Sequence, residues 1–183
     1  MTRVFSGRLK KALVVESPDV LLDELLAAEG IEVDRRREVP DEATLADWLR
    51  EGGHDVLFKR SRVPVSREVI EAAPSLLAVQ LCCIGDDSVD KRACADRGVM
   101  VFNDPVSNGR SVVELAIGHL VALSRRLFET YDHTRLGGFD KSQTERFEVQ
   151  GRVLGVLGLG NIGRQTARAA EAIGMKVVFY DNR

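Results

Sequence analysis

The sequence predicts an α/β protein built around parallel β-sheets. Short apolar runs alternate along the chain with amphipathic segments of helical period, which is the pattern that βαβ units produce. Near the end of the chain a glycine-rich turn, Gly158–Gly163, lies between a strand-like run and a helix-like run. Hydrophobic residues make up 44% of the chain and charged residues 30%, so the composition is that of a folded globular protein.

The first part of the chain contains five apolar runs, and each predicts a β-strand. The predicted strands cover residues 11–16, 31–33, 55–58, 76–81 and 99–102. Because helical segments separate these runs, we expect the strands to be parallel and to form one compact unit that ends near Asn103.

Four helices are predicted between these strands. Ser17 and Pro18 predict the N-cap and the first position of the first helix, and Gly30 predicts its end. The apolar face of this helix is expected to consist of Leu21, Leu22, Leu25, Leu26 and Ala28. The other helices are predicted to run from Asp41 or Glu42 to Glu51, from the N-cap Ser66 to Ala73, and from Asp90 to Arg97.

The second part of the chain is predicted to begin with a helix. Ser111 and Glu114 form a capping-box pattern, and the helix is expected to continue to at least Arg126. A polar stretch follows at residues 132–150. A second βαβ unit is then predicted, with its strand, helix and strand at residues 153–157, 161–173 and 176–180.

The charge balance limits the classes of partner. Lys and Arg number 26 and Asp and Glu number 28, so the net charge is −2 and we expect neither a nucleic-acid partner nor membrane association. The apolar run at residues 12–15 is too short for a signal peptide, which favours a cytoplasmic location. Cys82, Cys83 and Cys94 form neither a zinc pattern nor a CxxC pair, so we predict no metal site and interpret them as small apolar side chains.

The spacing Gly158-x-Gly160-x-x-Gly163 predicts a dinucleotide-binding turn, because a strand precedes it and a helix begins within it. Gly158 permits the tight turn, Gly160 lets a pyrophosphate approach the backbone, and Gly163 lets the helix pack closely on the strand. Asp181 ends the next strand, where its carboxylate can bind an adenosine ribose and repel a 2′-phosphate. The predicted cofactor is therefore NAD, although the nearby Arg183 weakens the case against NADP. The alternative is a βαβ turn that binds no ligand.

Three loops at the carboxyl ends of the predicted strands carry groups that suit an anion, at residues 59–62, 82–85 and 103–108. Such loops share one edge of a parallel sheet, so Arg60 and Arg62, together with a serine, an asparagine and the backbone N–H of a glycine, can hold a carboxylate or a phosphate. The alternative is that both arginines are solvated surface charges. Asp86 and Asp87 oppose an anion and are expected to point outward or to meet a cation.

Two blocks of the sequence resemble the D-2-hydroxyacid dehydrogenases. They are LLAVQLCCIGDDSVDKRACADRGVMVFNDPVSNGRSVVELAIGHL and GRVLGVLGLGNIGRQTARAAEAIGMKVVFYD. Their elements are most similar to the bacterial D-3-phosphoglycerate dehydrogenase branch, and the likeness extends from Lys11 to Asp181. The resemblance implies a flavodoxin-like substrate-binding domain at residues 1–106. A linker helix and the first βαβ unit of a Rossmann NAD-binding domain, expected to be truncated, are implied at residues 107–183.

The resemblance also assigns expected roles to individual residues. Arg60 and Ser61 match positions that bind the phosphate end of the substrate. Ile84 and Gly85 match a backbone loop that receives the carboxylate, and Asn108 matches a hinge position near the substrate. The expected cofactor-binding residues are Gly158, Gly160, Asn161, Ile162, Gly163 and Asp181. The chain departs from the family pattern at residues 80–82 and 86–87, and both departures bear on substrate preference.

The resemblance implies an NAD-dependent oxidoreductase that acts on a small anionic D-2-hydroxyacid. The expected substrate is 3-phosphoglycerate, at the first step of serine biosynthesis, and the full-length enzyme is expected to be a homo-oligomer. The family's catalytic arginine, acid and histidine follow the glycine-rich turn at a distance, so we expect residues 1–183 to lack them and to be inactive alone. The alternatives are a glycerate or hydroxypyruvate reductase, a non-catalytic NAD-binding or interaction module, and an inactive fragment.

None of the three histidines is assigned to catalysis. His54 is expected at the surface in a glycine-rich turn, His119 in a packed or interface position on the linker helix, and His133 in the polar stretch. Two strands of a Rossmann sheet would expose apolar surface and unpaired edges. We therefore expect poor solubility, or partial disorder beyond about Gln150, when residues 1–183 are produced alone.

Overall fold

The computed structural model describes residues 9–139, 141–142 and 144–182. The chain divides into two compact units, of which the first ends at Pro105 and the second begins at Val106. The predicted domain boundary lies one residue further along the chain.

The first unit contains a five-stranded, all-parallel sheet. Its strands are β1 (Lys11–Val14), β2 (Glu32–Arg35), β3 (Val56–Lys59), β4 (Ala78–Leu81) and β5 (Met100–Phe102). The strand order is β2-β1-β3-β4-β5, with Ala12 of β1 opposite Val33 on one side and Val56 on the other. This is the flavodoxin-like order, so the predicted fold of the first unit is confirmed.

Four helices connect these strands, and three of them have the caps that their sequences provide. They are α1 (Leu21–Ala28), α2 (Glu42–Gly52), α3 (Arg67–Ala72) and α4 (Lys91–Arg97). The side chains of Asp41, Ser66 and Asp90 accept hydrogen bonds from backbone N–H groups of the first turns of α2, α3 and α4. Gly53 and Gly98 end α2 and α4 in the left-handed conformation, as C-terminal glycines do.

Apolar side chains cover both faces of this sheet. Alternate residues of a strand point to opposite faces, so Leu13 and Leu57 join one core while Ala12 and Val56 join the other. The larger core also holds Leu45 and side chains from α3 and α4. Burying one such leucine completely stabilises the fold by roughly 1.5–3 kcal/mol, so the sheet of the first unit is firmly held.

The predicted start of the first helix is wrong. Ser17 has a left-handed backbone with φ of 50°, and α1 begins only at Leu21, whose N–H donates to the Asp19 carboxylate at 2.9 Å. Of the predicted apolar face, Leu26 is buried while Leu21 and Leu25 are exposed. A helix this short presents one narrow stripe to the sheet, which includes the partly buried Leu22, while Leu21 and Leu25 face solvent.

The described residues of the second unit form three helices and two strands. They are α5 (Gly109–Arg125), α6 (Leu127–Arg135), β6 (Val153–Leu157), α7 (Asn161–Ala172) and β7 (Lys176–Tyr180). The two strands are parallel and in register along their whole length, from Val153 opposite Lys176 to Leu157 opposite Tyr180. The predicted βαβ unit is therefore confirmed, with α7 one residue shorter than expected.

The predicted start of the long helix is wrong, and the helix ends one residue before the expected Arg126. Ser111 is not its N-cap, because the helix already begins at Gly109 and Glu114 pairs with Arg110 at 2.6 Å instead of closing a capping box. Arg126 then adopts a left-handed backbone with φ of 52° and separates α5 from α6. The helix α6 extends from Leu127 into the start of the polar stretch predicted at residues 132–150.

The small sheet of the second unit has largely exposed strands. Leu157 is 89% exposed and Val153 is 60% exposed, whereas Val113 of α5 and Ala170 of α7 are buried. The expected poor order beyond Gln150 in the isolated chain stays a prediction. Within the described residues, no helix is both long enough and apolar enough to cross a membrane.

Candidate functional site

Two glycines of the predicted dinucleotide turn are required by the fold itself. Gly158 directly follows β6 and has a φ of +91°, which L side chains rarely adopt. A Cβ atom on Gly163 would overlap the carbonyl oxygen of Gly158, because α7 passes close beneath the turn. The strand, the turn and the helix can therefore meet in this way only with glycine at both positions.

Gly160 differs from these two glycines. Its backbone is extended, with φ of −69° and ψ of −159°, and a Cβ atom there would meet open space. Gly160 is the N-cap of α7, and no side chain caps this end of the helix. The first-turn N–H groups of a helix attract anions, so this terminus suits a negatively charged ligand.

An open cavity of about 580 Å³ adjoins this helix terminus. Its lining residues come from the glycine-rich turn, from α7 and from the end of β7, and are Gly158, Leu159, Gly160, Arg164, Phe179, Asp181 and Asn182. The Asp181 carboxylate accepts a hydrogen bond from the Leu159 backbone N–H, which ties the end of β7 to the turn. Three of the predicted cofactor residues therefore border one cavity.

The remaining predicted cofactor residues lie in the first turn of α7 and do not line the cavity. The Asn161 side chain accepts a hydrogen bond from Gln165 at 3.1 Å, and Ile162 and Gly163 follow it in the helix. Arg164 was not predicted; its Nε donates to the Gly160 carbonyl oxygen at 3.3 Å and it lines the cavity. Arg183 lies outside the described residues.

The predicted anion-binding loops of the first unit leave the carboxyl edge of its sheet. Arg60 and Ser61 directly follow β3 and are exposed. Ile84 and Gly85 lie in the loop after β4, which the Asn103 side chain fastens by donating to the Ile84 carbonyl oxygen at 2.8 Å. Asn108, in contrast, belongs to the second unit, where it precedes α5.

A buried carboxylate holds the loop that carries Arg60. Glu16 accepts hydrogen bonds from the backbone N–H groups of Arg60, Arg62 and Val63 at 2.9, 3.1 and 2.6 Å. The Glu16 side chain is 1% exposed, and its Oε1 lies 4.0 Å from Nζ of the fully buried Lys59. Sequence reasoning missed this pair, although its position at the carboxyl ends of β1 and β3 was a signal.

Burial shifts the pKa values of two side chains at the carboxyl edge of the first sheet. Burial lowers the pKa of Lys59, and the nearby Glu16 carboxylate opposes that effect. Burial also raises the pKa of Cys82, so its thiol stays protonated near neutral pH. Asp86 pairs with Lys91 at 3.0 Å, which confirms the expectation that it meets a cation, and Asp87 is exposed.

The histidines lie elsewhere. His54 is 1% exposed, so its predicted surface position is wrong; the turn after α2 brings its Nε2 to 3.2 Å from the Asp34 carboxylate. His119 is exposed, with its ring centroid 6.4 Å from that of Phe128. His133 lies on α6 and is also exposed. Among the described residues, no cluster of His, Cys, Asp and Glu could hold a metal ion.

Comparison with known proteins identifies relatives of this chain. A D-3-phosphoglycerate dehydrogenase of Haemophilus influenzae is 43% identical to the chain over 162 residues, which are 87% of this chain and 38% of that protein. The D-3-phosphoglycerate dehydrogenase of Escherichia coli K12 is 38% identical over 174 residues, which are 95% of this chain and 42% of that protein. The chain thus spans about two fifths of the length of these relatives.

A solved structure of similar sequence has a similar fold. The crystal structure of a Thermus thermophilus protein superposes with a TM-score of 0.85 at 28% identity, and the match covers 94% of this chain and 56% of that one. Residues 12–179 match the family described as "D-isomer specific 2-hydroxyacid dehydrogenase, catalytic domain". Because that match covers most of the sequence, the chain belongs to the D-isomer specific 2-hydroxyacid dehydrogenase family.

Proposed function

We propose that this chain binds NAD with its second unit and the anionic end of a D-2-hydroxyacid with its first unit, as part of an NAD-dependent dehydrogenase. The proposed substrate is 3-phosphoglycerate. Two relatives that carry the name D-3-phosphoglycerate dehydrogenase, at 43% and 38% identity, support this choice of substrate. The paired loop arginines Arg60 and Arg62 suit a phosphate group.

The observation that carries the cofactor proposal is the glycine at position 160. Gly158 and Gly163 are explained by the fold, but Gly160 has an ordinary backbone and open space where a Cβ would lie. A residue with a side chain would fit the fold there equally well. The absence of a side chain is useful only to a ligand that approaches the backbone, and the adjoining cavity provides the room.

The residues around the cavity fit a dinucleotide. The N–H groups at the start of α7 would hold the pyrophosphate, and the Asp181 carboxylate would accept hydrogen bonds from the adenosine ribose. A 2′-phosphate would face the charge of Asp181, which favours NAD over NADP. When bound, NAD supplies the acceptor for a hydride from the 2-carbon of the hydroxyacid. Arg60 and Ser61 would hold the far end of that substrate.

Calorimetric titration of NAD into the chain tests the cofactor proposal. We expect Gly160→Ala to raise the Kd for NAD about tenfold or more, because the methyl group would enter the space of the pyrophosphate. Gly155→Ala is the matched control, since it adds the same methyl group to open space within β6. Equal Kd values for the two variants would contradict the proposal, as would tighter binding of NADP than of NAD.

Titration of 3-phosphoglycerate and of glycerate tests the substrate proposal. We expect Arg60→Ala to raise the Kd for 3-phosphoglycerate about tenfold or more and to affect glycerate less, because only the former has a phosphate. Arg67→Ala is the control, because Arg67 is a partly exposed arginine of the same unit that lies on α3 and pairs with Asp96. If Arg60→Ala weakens both compounds equally, the assignment of a phosphate site is wrong.

A further inference from the structure

The segment that holds the Arg60 loop in place has a backbone conformation that proteins rarely adopt. Glu16 and Ser17 both have left-handed backbones, with φ of 62° and 50°. Neither residue type favours this conformation, and two in succession cost free energy that the surroundings must offset. Such outliers persist where neighbouring contacts fix them, and they concentrate at functional sites.

The result of this backbone conformation is the position of the Glu16 carboxylate. One oxygen, Oε2, accepts from the N–H groups of Arg60 and Arg62, and the other, Oε1, accepts from Val63. The backbone donors of three loop residues are therefore occupied by a group of the protein. Because those N–H groups point inward, recognition of an anion by this loop depends on its exposed side chains, above all Arg60 and Ser61.

Lys59 connects this arrangement to a second loop. Its Nζ donates to the carbonyl oxygen of Arg60 and to Oγ of Ser88, both at 2.8 Å. Ser88 lies in the loop after β4, the same loop that carries Ile84 and Gly85. Glu16 and Lys59 thus fasten three loops together at the carboxyl edge of the sheet, and they do so beneath the proposed anion site.

Stability alone does not account for this pair. The free energy required to remove two charges from water offsets much of the free energy gained from their attraction. A buried ion pair therefore stabilises the fold little compared with apolar side chains of the same size. What the pair supplies is a fixed geometry for groups from distant parts of the sequence. We propose that Glu16 and Lys59 are positioning residues that hold Arg60 and Ser61 in place to select a substrate with a phosphate end. This inference rests on the proposed function.

The test removes both charges together. Glu16→Gln alone would leave Lys59 charged and unpaired in the core, so we combine it with Lys59→Met, which keeps both side-chain volumes. Glu32→Gln with Lys11→Met is the matched control, because this Glu–Lys pair, 3.2 Å apart, lies at the amino-terminal ends of β2 and β1. Fluorescence of Trp48, the one tryptophan of the chain, verifies that the first unit of each variant is folded.

Two measurements follow on the folded variants. Hydrogen exchange should show protected amides at Arg60, Arg62 and Val63 in the unaltered chain, and exchange at least tenfold faster in the Glu16/Lys59 double variant. The Kd for 3-phosphoglycerate should rise about tenfold in that variant, while the Kd values for glycerate and NAD stay within about twofold. The Glu32/Lys11 variant should match the unaltered chain in all of these values.

The outcomes separate the two proposals. If Arg60→Ala weakens 3-phosphoglycerate binding but the Glu16/Lys59 variant does not, the positioning role is wrong and the phosphate site stands. Faster amide exchange with unchanged selectivity for phosphate would likewise overturn the positioning role. If Arg60→Ala has no effect, or the unaltered chain does not prefer 3-phosphoglycerate to glycerate, the proposed substrate fails and this inference fails with it.

Discussion

The two units use the same βαβ pattern but bury it to very different degrees. Leu13 and Val14 in β1 of the first unit have no exposed surface, whereas Val153 and Leu157 in β6 of the second unit are mostly exposed. Both strands are short, apolar and parallel to their neighbours. The difference arises because β1 has a strand on each side and side chains over both faces, while β6 pairs with β7 alone among the residues that the structure describes.

This contrast teaches that a strand signal in a sequence does not by itself predict burial. Periodicity and glycine placement predict β6, α7 and β7 correctly, but burial of a strand requires neighbouring strands and covering side chains. We therefore expect the two units to differ in stability and to respond to different substitutions. Trp48 belongs to the first unit, so its fluorescence reports on that unit alone.

The largest effect is expected from Leu57→Ala. Leu57 is fully buried in β3, so the substitution should lower the free energy of unfolding of the first unit by about 2–5 kcal/mol. Urea unfolding followed by Trp48 fluorescence measures this loss. Amide exchange in β6 and β7 should stay unchanged; if it accelerates equally, the two units unfold together and the contrast between them is wrong.

A smaller effect is expected from Gly163→Ala in the second unit. The added Cβ would overlap the Gly158 carbonyl oxygen and lie 3.4 Å from Cγ1 of Val156, so the turn must shift. We expect a loss of about 1–3 kcal/mol, measured by amide exchange in α7, with no change in Trp48 fluorescence. Gly155→Ala serves again as the control, and equal exchange in both variants would remove the steric argument.

The pH dependence of the first unit is expected to depend on His54. Burial lowers the pKa of His54, and its hydrogen bond with Asp34 opposes only part of that effect. The unfolded chain therefore binds a proton more readily than the folded one, so stability is complete above pH 6.5 and falls as the pH drops below it.

Titration of His54 alone can change the free energy of unfolding by no more than about 1.4 kcal/mol per pH unit. Urea unfolding at pH 7.5 and pH 5.5, followed by Trp48 fluorescence, measures the loss. The same measurement on His54→Gln, which cannot titrate in this range, should show a smaller difference between the two pH values. An identical difference in both proteins would show that His54 does not contribute.

The smallest effect is expected from Leu157→Ala. The residue type and the substitution are the same as for Leu57, but Leu157 is 89% exposed, so the change should stay within about 0.5 kcal/mol. Amide exchange in β6 measures it. A loss of stability as large as that expected for Leu57→Ala would mean that Leu157 is covered in solution. The two units would then not differ in burial as described.

The parts of the fold that the sequence predicted correctly depend on local signals. Apolar runs located all seven strands to within one or two residues, and Asp41, Ser66 and Asp90 marked helix starts. Local signals also failed where tertiary contacts override them. Ser111 has the capping-box pattern but lies inside α5, and His54 follows two glycines yet is buried.

The candidate site likewise contains residues that could be predicted from the sequence and residues that could not. The glycine-rich turn and Asp181 could be predicted because their spacing along the chain determines their geometry. Glu16 could not, because its partners follow it by more than forty residues and only the assembled sheet brings them together. The position of Glu16 just after β1 places it at the edge of the sheet where ligands bind, but an acidic residue after a strand is usually solvated.

The position of β1 has a consequence for how the first unit forms. β1 lies between β2 and β3 and is bonded to both, and all four ladders of this sheet join strands that a helix separates in sequence. No pair of strands can close as a local hairpin, so long loops must be ordered before the ladders stabilise them. Refolding should therefore be slower than for a helical bundle of equal size, and a chain that lacks residues 11–14 should leave β2 and β3 without a shared partner.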